Sequence, residues 1–128
     1  MTLQVPLPPT WLAEAAGPEG PLTAGPPGRP VLRIDRIANA AVPTADELKR
    51  TFVQRSAGVT VREERRLETT QFVGVVLRRS QSNAPSSLLF LAAAPTQQGV
   101  VLCASLPGGS EQEIKQALAV CQSLQEGP

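Results

Sequence analysis

The sequence predicts an α+β domain: a mainly antiparallel sheet of about six strands with two main helices packed on it. Three observations carry this. Two Ser/Thr-x-x-Glu capping boxes, at Thr44–Glu47 and Ser110–Glu113, each precede an amphipathic stripe. Between them, apolar runs of strand length are separated by turn residues. The 128 residues, 41% of them apolar, supply one core and leave no room for a second domain.

Residues 1–30 hold Pro6, Pro8, Pro9, Pro18, Pro21, Pro26, Pro27 and Pro30. Each proline fixes φ and removes a backbone donor, so this segment reads as ordered loops with short strands. Leu3, Val5 and Leu7 alternate with polar or proline positions, as in a brief edge strand. Trp11 is expected to cover one end of the core, and a short strand is expected near Leu22 to Ala24, between the turns Gly17–Pro21 and Gly25–Gly28.

From residue 31 to 124 the texture is that of a sheet with two helices. Val31 to Ile37 reads as a strand covered on one side and partly on the other. The box at Thr44 starts a helix whose stripe is Ala45, Leu48, Phe52 and Ser56, with Gly58 placed for a left-handed cap. Val59 to Glu68 begins as an alternating strand and turns polar on both faces at Arg62-Glu63-Glu64-Arg65-Arg66, so it is expected either to project beyond the core or to lie at an edge. Phe72 to Leu77 is apolar on both faces and reads as a central strand, paired with it in a hairpin. Ser87 to Ala93 and Val100 to Leu106 form a second hairpin around Pro95–Gly99. Pro107-Gly108-Gly109 ends the sheet, and a final helix carries Ile114, Ala117, Leu118, Cys121 and Leu124.

Composition restricts the chemistry. The chain has no His, so a Ser-His-Asp or Cys-His nucleophile cannot be assembled within one subunit, and the side chain that titrates near neutrality is missing. Two cysteines without His do not complete a common zinc site, and no cofactor is expected. The default for Cys103 and Cys121 is two free, partly buried thiols; a disulfide is the option if strand and helix meet there. A formal charge of +1 and 3% aromatic residues argue against nucleic-acid binding, and no stretch approaches the roughly 20 apolar residues of a membrane span. A cytoplasmic location is expected, because the first residues lack a basic start and an apolar stretch.

The order of elements, together with Pro8-Pro9-Thr10-Trp11, resembles the PsbP-like and DcrB-like proteins, a superfamily that includes a Ran-binding nuclear import factor. The similar features are an opening strand that ends in a Pro-x-x-Trp-like turn, an extended segment like Arg29 to Ile37, a helix like Thr44 to Ala57, a glycine within a strand like Gly74, and a closing helix like Ser110 to Leu124. The chain is shorter than many members and lacks the acidic cluster expected of a Ran-binding version. The resemblance implies a sandwich of sheet and helices that serves as an accessory, adaptor or chaperone-like binder, and it implies no site residues. The type III secretion chaperones are also small and α+β, but they look strongly acidic.

Three functions therefore stand in order. The first is a non-catalytic domain that recognises a protein or peptide through the exposed part of the sheet or the Arg62 to Arg79 hairpin. There Arg62, Arg65, Arg66, Arg78 and Arg79 read as a solvated charge ladder with the interleaved Glu63, Glu64 and Glu68 or as a docking patch, since guanidinium groups suit carboxylate or phosphate. An exposed sheet edge also allows homodimerisation. The second is a domain that holds a small apolar ligand or lipid between sheet and helix. The third is a thiol-dependent enzyme using Cys103. Glu63 and Glu64 read as compensated surface charge rather than an acid/base pair, and Pro107-Gly108-Gly109-Ser110 as a turn and cap, because no Lys completes a phosphate loop.

Overall fold

Among the residues that the computed structural model describes, 3–17, 20–54, 58–82 and 84–126, the chain forms nine strands and two helices. In order these are β1 (Leu3–Gln4), β2 (Leu12–Ala15), β3 (Leu22–Gly25), β4 (Leu32–Ala38), α1 (Ala45–Gln54), β5 (Thr60–Glu68), β6 (Val73–Ser80), β7 (Ser87–Pro95), β8 (Gly99–Ser105), α2 (Glu111–Gln122) and β9 (Gln125–Glu126). Seven strands form one antiparallel sheet in the order β2-β3-β4-β8-β7-β6-β5, and β1 pairs separately with β9. The sheet thus has one strand more than the expected six or so. The extra strand is β2, whose residues are all exposed and so give no alternation to read. The expected edge strand at Leu3–Leu7 shrinks to Leu3–Gln4 and lies outside the main sheet, because Pro6, Pro8 and Pro9 offer a ladder no donors. Leu3, Val5 and Leu7 still pack against the core, beside the buried Trp11.

Strand alternation assigns the two helices to opposite sides. Leu88, Phe90 and Ala92 of β7 share a cluster with Ile114, Ala117, Leu118 and Cys121 of α2. Their neighbours Leu89 and Leu91 pack instead with Val73, Val75 and Leu77 of β6 and with Ala45, Leu48 and Phe52 of α1. The connection from β4 through α1 carries the chain from the middle of the sheet to its far edge at β5.

Both capping boxes form. The Thr44 amide donates to the Glu47 carboxylate at 3.0 Å, and the Glu47 amide donates to the Thr44 hydroxyl at 3.1 Å. The same reciprocal pair joins Ser110 and Glu113 at 2.9 and 3.2 Å. Such a cap stabilises its helix by about 1 kcal/mol. Gly58 has φ +79°, a left-handed conformation, while residues 55–57 that join it to α1, Ser56 of the expected stripe among them, and the Pro18-Glu19 part of the first turn lie outside the described residues. Gly99 starts β8 where a Cβ would collide with the Ile37 carbonyl oxygen and meet the Asn39 nitrogen at 2.9 Å, so only glycine lets β4 and β8 close.

The two cysteines are bonded to each other, which corrects the reading of free thiols. Cys103 lies on the α2-facing positions of β8 and Cys121 on the packed stripe of α2; both are 2% exposed, with Cα atoms 6.4 Å apart. The count of cysteines and the presumed compartment suggested thiols; the facing of strand and helix decides otherwise. The bond spans 18 residues and staples α2 to the sheet.

Candidate binding surface

The five arginines do not form one surface, and a bulge in β5 is the reason. Val61 and Leu67 are an even number of residues apart, yet Val61 packs on the α1 side and Leu67 on the α2 side. The register slips between Glu63 and Arg65, so Glu64 is the extra residue and every side chain beyond it changes sides.

The charged run is thereby divided into two compensated networks. On the α2 side, Arg78 reaches Glu64 and also donates to Glu111 of α2 at 3.0 Å, while Arg62 pairs with Glu64 at 2.9 Å. On the α1 side, Arg66 donates to Glu63 at 2.7 Å and to Asp46 of α1 at 2.8 Å, with Lys49 3.7 Å from Glu63. Hydrogen bonds donated to Glu111 and Glu64 raise the Arg78 pKa, and those donated to Glu63 and Asp46 raise that of Arg66. The reverse effect holds Glu63 and Glu64 below their ordinary range. Of the five, Arg65 and Arg79 have no ion-pair partner among the described residues, and Arg79 is half-buried.

Arg79 opens onto a different feature. β7 and β8 pair from Leu91↔Ala104 to Pro95↔Val100 and then part. Beyond that point β8 follows β4, with Leu32 opposite Ser105, while β7 follows β6, with Ser87 opposite Arg79. The Ser105 hydroxyl bridges the start of the gap by accepting from the Phe90 amide at 2.9 Å. A cleft of about 260 Å³ occupies the separation, lined among others by Phe52, Arg79, Leu89, Leu91, Leu106 and Gly109. It continues into the part of the sheet that α1 leaves uncovered. There Leu102 and Ala104 of β8 remain half-exposed, opposite the Asp35–Arg33 ion pair of β4, and Ile37, opposite Val100, is 42% exposed.

No family model matches the sequence, and no curated protein matches it. What the site can do therefore rests on its geometry. Every shifted carboxylate is lowered and every shifted guanidinium raised, by an oppositely charged hydrogen-bond partner or, for Glu47, chiefly by the Thr44 amide, so the charged form is favoured throughout. Glu63 and Glu64 lie on opposite sides of the sheet and cannot share a substrate as acid and base. Among the described residues no group of three or more His, Cys, Asp or Glu could hold a metal, and no charged side chain is buried. The disulfide removes the Cys103 thiolate that the thiol-enzyme reading requires. At the start of α2 the Glu113 carboxylate already accepts from the Ser110 amide, where an anion would otherwise sit. No helix among the described residues is long and apolar enough to cross a membrane.

Proposed function

We propose that this chain is a non-catalytic binding domain that recognises a protein or peptide, an adaptor-like or chaperone-like role in keeping with its resemblance to the PsbP-like and DcrB-like proteins. One observation carries the reading: one side of the sheet is only half covered. α1 packs over β5, β6 and β7, and the adjoining aliphatic residues Leu91, Leu102 and Ala104 are left half-exposed. Apolar surface of this kind next to a formed core suits a partner better than water.

The recognition surface in this reading is the open half of the α1 side, and the arginine hairpin contributes to it through Arg79 alone. A cytoplasmic location fits poorly with a buried disulfide that uses both cysteines of the chain, and an oxidising compartment accords better with it. The test is site-specific photo-crosslinking from position 102 in cells of the source organism. A discrete adduct larger than the chain, absent when the probe is moved to position 115 on the outer face of α2, is the expected result. Adducts that are absent, or equal from both positions, overturn the reading.

A further inference from the structure

We infer that the cleft between β7 and β8 captures the C-terminal end of an extended, apolar partner peptide, with its terminal carboxylate on Arg79. The inference rests on the reading of the chain as a protein- or peptide-binding domain and assigns that function a site. Three observations converge on it.

The first is an unused strand edge. The Phe90 amide points from β7 toward β8, where it meets the Ser105 hydroxyl. Main-chain direction alternates along a strand, so the N–H and C=O of Leu88 turn the same way, into the gap beyond the last β7–β8 pair. An extended peptide laid there would continue the ladder that β8 abandons. The second is side-chain chemistry. Leu89, Leu91, Leu106 and Phe52 give the cleft apolar walls, and Gly109 adds main chain without a side chain. The third is charge. Arg62, Arg66 and Arg78 are engaged by carboxylates, whereas Arg79 lines the cleft and has no carboxylate partner among the described residues. A guanidinium at the mouth of an apolar slot complements a carboxylate borne by an apolar chain.

The dimensions favour a chain end over a passing strand. At about 260 Å³ the cleft is smaller than the roughly 300 Å³ at which ligand pockets usually begin, so it suits a terminal residue or two. The rest of the peptide would run onto Leu102 and Ala104 of the open sheet face.

A random library displayed with free C-termini, selected on the full chain, tests this directly. The expected outcome is enrichment of aliphatic residues at the last positions. The selected peptide, synthesised as the free acid, should bind about tenfold more tightly than its C-terminal amide, and should lose about as much against Arg79→Gln but nothing against Arg62→Gln. Amide-resolved NMR should place its shifts at Leu88, Arg79 and Gly109, and also reports whether Arg79→Gln remains folded. Selected peptides that bind acid and amide alike, or that shift only Leu102 and its neighbours, overturn the inference while leaving the binding-domain reading in place. A library that yields no binder overturns the inference as well, and the crosslinking from position 102 then decides the broader reading separately.

Discussion

The two sides of the sheet are finished to different degrees. Among the described residues, the α2 side joins sixteen buried residues in one cluster, from Trp11 and Val31 through Phe90 to Val120, whereas the α1 side joins four, Ala45, Val73, Val75 and Leu77. The α2 side is also fastened by the Cys103–Cys121 bond, by a two-pronged pair between Arg29 and Glu113 at 2.7 Å each, and by Arg78 on Glu111. α1 has no covalent tie, and its clearest fastening to the sheet is Asp46 on Arg66 at 2.8 Å. The difference follows from topology. α2 returns directly from β8 and lies over the sheet's middle strands, while α1 must reach the far edge at β5 and so leaves the flank near β8 and β4 bare. One side is closed by packing and a covalent tie, and the other leaves Leu91, Leu102 and Ala104 half-exposed.

The largest expected effect tests whether the stability does reside on the α2 side. Phe90 is fully buried there, and Phe90→Ala should lower unfolding stability by about 3–5 kcal/mol, measured by urea titration. Its neighbour Leu91 faces the other way and is half-exposed, so Leu91→Ala should cost well under half as much. Equal costs would mean that the α1 side is as tightly filled as the α2 side. Next in size is the staple. Replacing both Cys103 and Cys121 by Ala should remove about 3 kcal/mol by the loop-closure argument, since the bond encloses 18 residues. Intact protein unfolded in denaturant should take up no alkylating reagent until it is reduced; uptake of two adducts without reductant would show that the staple is not formed.

The same contrast explains how far the sequence could be read. Elements with strong local signals are legible: the two boxes at Thr44 and Ser110, the doubly apolar β6, and both hairpins. Local chemistry alone writes these patterns. β2 is silent because it is exposed throughout, and the bulge at Glu64 is silent because one residue in excess changes the pairing without changing the composition. That bulge is what undid the arginine patch: five guanidinium groups adjacent in a hairpin diagram end on two sides of a sheet, three of them paired. The cleft is less legible still. It depends on β7 and β8 parting after Leu91 and Ala104, a choice made by the competing partners β6 and β4. The sequence offers Arg79 as one member of a patch, whereas in the fold it is the charged residue lining the slot.

The smallest effect sharpens the comparison through acid. Hydrogen bonds from Arg29, and then the Ser110 amide, hold the Glu113 carboxyl down to about 2, from an ordinary value of 4.5. Above about pH 5 the carboxylate is ionised in both folded and unfolded chains, and the full contribution is present. As the pH falls through 4.5 the unfolded chain takes up its proton first, so stability declines, and the loss is complete only below about pH 2. Asp46 and Glu63 on the α1 side are also lowered, so both sides weaken in this window. The Arg29 pair joins the loop before β4 to α2 through two bonds, whereas Asp46 is a single-pronged and largely exposed partner of Arg66. Glu113→Gln keeps a residue able to close the capping box but abolishes the titration. Urea midpoints recorded from pH 6 to pH 2 should therefore fall less steeply in Glu113→Gln than in the parent, and Asp46→Asn should flatten the profile less. Were Asp46→Asn to flatten it more, the electrostatic fastening would belong chiefly to α1, and the firmer closure of the α2 side would have to rest on apolar packing and the disulfide alone.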